Sequence, residues 1–285
     1  MTDLDFKVML AKTYDPKRVQ NWKEVWVEPK LDGVRVIAMV SRSGPVRYYS
    51  RNGRELGMFT HLDGSLRKLR MRLPATATTV FDCEAVGMTF GDVSGAIHTK
   101  GTVALTCRLH VFHYMPLRAF ELGLDTTSQF DRNDDLQVAL KAEAIKGLTV
   151  SKPARVFDHR QVLYAHDQYR AAGKEGTMVK NLQSAWTATR SWAWMKIKDE
   201  QTTEVIVTGI KEGTGKYAGN TGALICEHNG RVVRCSGMSD EQRRKFWDKP
   251  KSIIGKMIEV TYQEETEAGS LRHIRFKRVR DDKQE

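Results

Sequence analysis

The sequence predicts an α+β unit followed by a small all-β unit, and three observations carry that prediction. Residues 25–49 alternate apolar and polar side chains as half-buried strands do, whereas 134–147 and 158–173 have helical spacing and end in glycine. Strands and helices are mixed without regular alternation, which favours α+β over a doubly wound sheet. Beyond residue 200 the chain turns to short apolar runs punctuated by glycine.

Taken in order, Val25 and Val27 precede the stretch EPKLDGVRV (28–36), and Val34, Val36, Ala38 and Val40 continue the alternation, so Lys30 sits where two strands connect. Gly33 is expected to permit a tight turn that aims the Lys30 amine into a cleft. TVFDCEAVG (79–87) and RLHVFHYM (108–115) read as further strands, and DDLQVALKAEAIKG (134–147) and DHRQVLYAHDQYRAAG (158–173) as helices. KIKDEQ (196–201) marks the boundary, giving units 1–199 and 200–285. TTEVIVTGI, ALICEHNGRVVRCSG and KMIEVTYQEE, with DEQRRKFWDKP as one helix, suit a five-stranded OB-type barrel, with a small SH3-like barrel as the near alternative. EGTGKYAGNTG (212–222) lacks GxxxxGK[ST] spacing and opens no helix, so it reads as a glycine-rich hairpin rather than a phosphate loop.

The 285 residues carry 46 Lys and Arg against 35 Asp and Glu, a formal charge of +11. Such a surface attracts polyanions through its field and through counterion release, with nucleic acid the first candidate and a merely soluble basic protein the bland one. Cys83, Cys107, Cys226 and Cys235 form no CxxC pair and have no zinc-type spacing, which points to reduced core thiols. No apolar run reaches membrane-spanning length, so a cytoplasmic protein without a membrane partner is expected.

Several residues could carry chemistry, each with an ordinary competitor. A strand-end lysine such as Lys30 is usually a solvated surface group; as a nucleophile it needs a neutral amine, which nearby cations or a divalent metal favour. Glu84 lies among apolar neighbours, where a carboxylate requires an ion pair, a metal or hydrogen bonds. Phe112 is by default a core aromatic, Glu175 a surface turn acid, and Arg35 and Arg51 solvated strand arginines. Lys196 and Lys198 alternate along one strand with Trp194, so all three share a face, and the two like charges there suit a bound phosphate.

KLDGVR (30–35) matches the KxDGxR signature of covalent nucleotidyltransferases, the superfamily of DNA ligases, RNA ligases and capping enzymes. SRNG (50–53), FDCEAVG (81–87), LHVFHYMPL (109–117), KEGTMVKN (174–181), WMKIK (194–198) and RHIRFKRVRDDK (272–283) follow in the order of that family's motifs. The whole resembles the small bacteriophage type of ATP-dependent DNA ligase, which implies a nucleotidyltransferase (adenylation) domain followed by an OB domain. The resemblance further implies that Lys30 attacks the α-phosphate of ATP and that AMP passes to the 5′-phosphate of nicked duplex DNA. A monomer is expected. By the same resemblance Glu28, Arg35, Arg51 and Glu84 contact the nucleotide, Phe112 stacks on adenine, and Lys196 and Lys198 hold the α-phosphate and help keep Lys30 neutral. Glu84 and Glu175 become the Mg²⁺ carboxylates, and Arg280 and Lys283, with Asp282, the RxDK element that orients pyrophosphate. The chain departs from the pattern at Ile274, where the family often has proline.

RNA ligases and GTP-using capping enzymes share KxDGxR and are the alternatives within the superfamily. A non-catalytic nucleic-acid-binding barrel would account for the charge but leaves the ordered motifs unexplained. NAD⁺-dependent ligases resemble longer chains with zinc-binding cysteines, which favours ATP here.

Overall fold

The computed structural model describes residues 3–74, 78–87, 107–141, 144–198, 200–265 and 270–280. The chain divides into two compact units, Met1–Ile197 and Lys198–Glu285.

Two five-stranded sheets build the first unit. One runs in the order Leu10–Thr13, Arg190–Lys198, Gly176–Lys180, Val25–Lys30, Ala154–Val156. The other runs Arg47–Ser50, Val34–Val40, Thr79–Val86, Arg108–Pro116, Leu148–Val150. The chain therefore leaves the first sheet at Lys30 and enters the second at Val34, and the KLDGVR segment is the crossing between them. Alternation drives this: Val25 and Val27 bury one side chain set in the first sheet, while Val36, Ala38 and Val40 join the large core beneath the second.

Gly33 serves this crossing differently from the sequence expectation. It is not among the glycines with left-handed backbone. Its need is for room, because a Cβ there would lie 2.2 Å from the Ala85 carbonyl oxygen and 2.9 Å from Glu84 Cγ. The absent side chain lets the crossing lie directly on the neighbouring strand.

The helix expected at 134–147 is Gln129–Lys141. Its start comes earlier because Ser128 Oγ accepts the Asp131 N–H at 3.1 Å and caps the first turn. Gly147, at φ 79°, lies in the turn that precedes the Leu148–Val150 strand and does not end the helix. His159–Ala171 agrees with its reading, with Asp158 capping Gln161 N–H at 2.8 Å and Gly173 left-handed beyond its end.

In the second unit five strands run in the order Arg231–Cys235, Thr221–His228, Gln201–Glu212, Met257–Tyr262, Arg275–Val279. A bridge between Ser236 and Arg275 joins the two edges, with Phe276 N–H donating to Ser236 O at 2.7 Å. The sheet thus closes into a barrel around Val205, Val207, Leu224, Val233, Ile258 and Val260. Asp240–Asp248 is the single α-helix among the described residues of this unit, begun by a Ser239–Gln242 capping box and inserted after the third strand. The 212–222 segment is a hairpin connection, closed by Gly213 N–H donating to Asn220 O at 2.9 Å. Among the described residues no helix is long and apolar enough to cross a membrane.

Candidate active site

The register of two strands assembles the centre. Gly176–Lys180 pairs antiparallel with Val25–Lys30, placing Gly176 opposite Lys30 and Met178 opposite Glu28. Glu175 therefore stands beside the end of the lysine strand, and its carboxylate forms an ion pair with Lys30 Nζ. The same amine donates to the Leu31 carbonyl at 3.3 Å. Lys30 was expected among cations; its immediate partners are an acid and a carbonyl, because the register brings Glu175 to it first.

The second sheet supplies the opposite wall. Arg35 pairs in register with Glu84, and Glu84 with His110. Two residue pairs further along, the fully buried Asp82 takes the Arg35 guanidinium in two hydrogen bonds of 2.5 Å. That fork holds the guanidinium 4.7 Å from the Phe112 ring and 5.6 Å from the Trp194 ring. Phe112, from the second sheet, and Trp194, from the first, meet edge to face with centroids 5.6 Å apart. Trp194 is 3% exposed, and its indole N–H donates to Gln129, whose amide in turn donates to Ser184 Oγ at 2.9 Å. The side chains that meet here come from strands of both sheets, which no local reading of the sequence could reveal.

Glu28 and Lys180 form a buried ion pair on the lysine face. Lys180 Nζ lies 4.7 Å from the Trp194 ring centroid and 5.5 Å from that of Phe112. His110 is close enough to feel both charges, and burial pushes its imidazole below its ordinary value. It bonds Thr149 Oγ1 at 2.9 Å and Ser151 Oγ at 3.2 Å. Asp82, His110, Gln129 and Lys180 were not singled out in the sequence. Asp82 and Lys180 each lie inside a quoted motif, and period-two alternation puts Asp82 on the face of Glu84 and Lys180 on that of Met178.

The remaining expected residues sit as follows. Arg51 is exposed in the turn after Arg47–Ser50, at the end of the second sheet where Ser50 pairs with Val36. Lys196 is on Arg190–Lys198, two strands from Lys30 in the first sheet, and pairs in register with Thr13. Lys198 ends that strand, and its amine donates to Gln263 Oε1 at 3.4 Å. Arg280 is held within the barrel by Glu204 and by its own N–H to Met257 O at 2.9 Å. Its guanidinium pairs with this barrel acid. Lys283 and Asp282 lie outside the described residues.

Glu84 has an unusual titration. Burial raises its carboxyl from 4.5 to about 7, and Asp82 and Glu175 add to the rise, while Arg35 and Lys30 oppose it. Between those two values the folded chain holds a proton that the unfolded chain has lost, so stability falls as pH rises through this window and stays lower above it. Glu84→Gln should therefore melt above wild type at pH 8, by on the order of 1–2 kcal/mol, and match it near pH 5. Thermal melts of ligand-free protein at both pH values check this; a pH-independent difference would assign the effect to packing.

Glu84 and Glu175 offer a divalent ion two hard oxygen donors within electrostatic reach of each other. Among the described residues no group of three or more acids, histidines or cysteines gathers. That donor set fits Mg²⁺, which takes most of its ligands from phosphate oxygens and water, and does not fit a structural metal. A separate cleft of about 780 Å³, lined by Phe6, Met39, Arg47, Tyr49, Phe120 and their neighbours, contains none of the expected site residues.

Two facing sheets, a lysine at the crossing between them, paired carboxylates and an aromatic wall define a nucleotide-handling unit, here joined in sequence to a five-stranded barrel. The chain belongs to the ATP-dependent DNA ligase family: the family model described as "ATP dependent DNA ligase domain" matches residues 8–198, and "DNA ligase OB-like domain" matches residues 212–280. A "Probable DNA ligase" of Rhodococcus opacus (strain B4) is 31% identical over 205 residues, covering 69% of this chain and 38% of its own length. A "DNA ligase" of Escherichia phage T7 is 23% identical over an alignment covering 94% of each chain. The solved structure "Pmar-Lig_PreS3" superposes with a TM-score of 0.84 at 27% identity, over 96% of this chain and 68% of that one. The matches thus span between about two fifths and nearly all of the curated relatives' lengths.

Proposed function

We propose that this protein is an ATP-dependent DNA ligase that seals 5′-phosphate/3′-hydroxyl nicks in duplex DNA. The observation that carries the reading is the meeting of Lys30 and Glu175, brought from 145 residues apart to one point at the crossing between the sheets. Residues 1–199 act as the adenylation domain and 200–285 as the OB domain.

Lys30 Nζ, as the free amine, attacks the α-phosphorus of ATP; the new N–P bond forms as the bond to the bridging oxygen breaks, and pyrophosphate leaves. Glu84 and Glu175 would hold Mg²⁺, which would supply neutralisation of phosphate charge. Glu175 holds the Lys30 amine in place for attack. Phe112 stacks on the base, while Glu28, Arg35 and Arg51 contact the nucleotide. Lys196 and Lys198 stabilise charge on the α-phosphate, and Arg280 and Lys283 orient the leaving pyrophosphate. AMP then passes to the 5′-phosphate, and the 3′-hydroxyl attacks that phosphate and expels AMP.

The charge of +11 supports duplex DNA as the partner. Four buried, unpaired cysteines support a reducing cytoplasm. We take the working form to be a monomer. Incubation with α-labelled ATP and Mg²⁺ should label the protein covalently, and a 5′-phosphorylated nicked duplex should be joined. Labelling from GTP but not ATP, or joining of nicked RNA alone, would replace this reading with a capping enzyme or an RNA ligase.

A further inference from the structure

The first sheet has two faces, and the expected site uses one of them. Met178 pairs with Glu28, which shares a face with Lys30, and packs with Phe112 and Trp194. Its strand neighbour Val179 points the other way and packs with Val25, Val27, Met195 and Trp192. Met195 pairs with Lys12, so the Lys12 side chain also belongs to the face turned away from the nucleophile. There the Lys12 ammonium lies 4.2 Å from the centroid of the Trp192 ring, and the Arg18 guanidinium 4.5 Å from the same ring. Exposed Lys17 precedes Arg18 in the short helix Pro16–Val19. The acid that reaches this group is Asp15, 4.0 Å from Arg18 Nε, with its other carboxylate oxygen accepting the Lys17 backbone N–H at 3.0 Å. Among the described residues neither Lys12 nor Lys17 has an ion-pair partner. The segment that carries these cations is pinned, since Asp15 N–H donates to Met195 Sδ at 3.4 Å and the Tyr14 hydroxyl bonds His159 Nδ1 at 3.0 Å.

Two cations drawn to one indole repel each other, and the ring offsets only part of that repulsion. An anion between them removes it. We propose that Lys12, Lys17 and Arg18, held on Trp192, form a second DNA contact that takes backbone phosphates of duplex DNA on the face opposite Lys30. This contact is independent of the ligase chemistry proposed above. Trp192 already engages two cations, so it offers no stacking platform for an unpaired base, which favours backbone of a duplex over a single strand. DNA stays nearly straight over lengths well below about 150 base pairs, so a short duplex on the Lys30 face cannot curl round to this one. The occupant is therefore a second duplex, or a distant stretch of a long one. Phosphate contacts carry no sequence information, so the patch holds any duplex and keeps the chain on DNA whether or not the Lys30 face is engaged.

The test titrates the full chain at low salt with excess unnicked duplex of about 20 base pairs, too stiff to span both faces, and reads stoichiometry by sedimentation. Wild type should take two duplexes per chain, and the weaker step should fall with salt with a slope of about −2 to −3, as two or three phosphate contacts require. Lys12→Ser combined with Arg18→Ser should weaken that step by about tenfold or more while leaving the tighter step, ATP adduct formation and sealing of one short nick within about twofold of wild type. Lys12→Arg combined with Arg18→Lys, which keeps both charges, should retain most of the second step. Lys17→Glu, at an exposed position, guards against a folding failure of the double variant and should weaken the same step by about threefold or more, with thermal melts as control. A single duplex per wild-type chain would overturn the proposal. Second-step binding as strong in Lys12→Ser/Arg18→Ser, or in Lys17→Glu if the double variant does not fold, would overturn it equally. Poly-glutamate that occupies the patch as tightly as DNA of equal charge would reassign it to an acidic protein. A wild-type protein that takes two duplexes yet forms no adduct with ATP would keep this contact and remove the ligase reading instead.

Discussion

Lys30→Ala should abolish covalent labelling by ATP and the sealing of ordinary nicks, a loss of more than about 10⁴-fold, the scale on which removal of a covalent nucleophile acts. The variant should still join a nick supplied with AMP already on its 5′-phosphate, at a reduced rate, since that step needs no amine attack. Lys30→Arg sharpens the test. A guanidinium can keep the ion pair with Glu175 but is not a nucleophile near neutral pH, so the variant should fold as wild type and yet form no adduct. Residual labelling of either variant at a rate within about tenfold of wild type would place the nucleophile elsewhere. Gel assays with labelled ATP and with pre-adenylated and ordinary nicked duplexes separate these outcomes.

Gly33→Ala should be nearly as damaging, for a different reason. The added methyl would sit 2.2 Å from the Ala85 carbonyl oxygen, and backbone on a central strand cannot turn aside as a flexible side chain does. The crossing would have to lift off the Thr79–Val86 strand, shifting Lys30 at one end and Arg35 at the other. A destabilisation of about 2–4 kcal/mol in urea unfolding is expected, with adduct formation falling by about 100-fold or more even where the protein remains folded. A neutral effect on both would mean that the crossing is looser than the close approach of these strands requires.

Much of the fold was legible because its signals are local. Alternating valines on either side of EPKLDGVRV announce two strands with the lysine between them, and both are present. The barrel was legible for the same reason: short apolar runs separated by glycines, with Ser239 and Gln242 marking the one helix. The helix at Gln129–Lys141 was read five residues late because its first turn is polar and its start rests on the Ser128 cap rather than on apolar spacing. Gly33 was read for its conformational freedom, whereas its role comes from a neighbouring strand that the sequence does not show.

The site divides along the same line. Lys30, Glu84 and Phe112 could be proposed from motif order, since each belongs to a segment whose residue types and spacing are unusual together. Glu175 was likewise proposed from motif order, in KEGTMVKN, although its own neighbourhood showed only an acid in a turn, and its meeting with Lys30 depends on the pairing of Gly176 with Lys30. Asp82, which holds Arg35, and Lys180, which holds Glu28, were hidden inside strands whose alternation tells a residue's face but not what lies across it. Sequence alone determined which elements form, the family to which they belong and the lysine at their crossing, because backbone propensity, apolar period and motif order are properties of contiguous residues. Tertiary structure decided which charges meet: strand register fixes pairs far apart in the chain, and a shift by one residue would turn every one of those side chains to the other face.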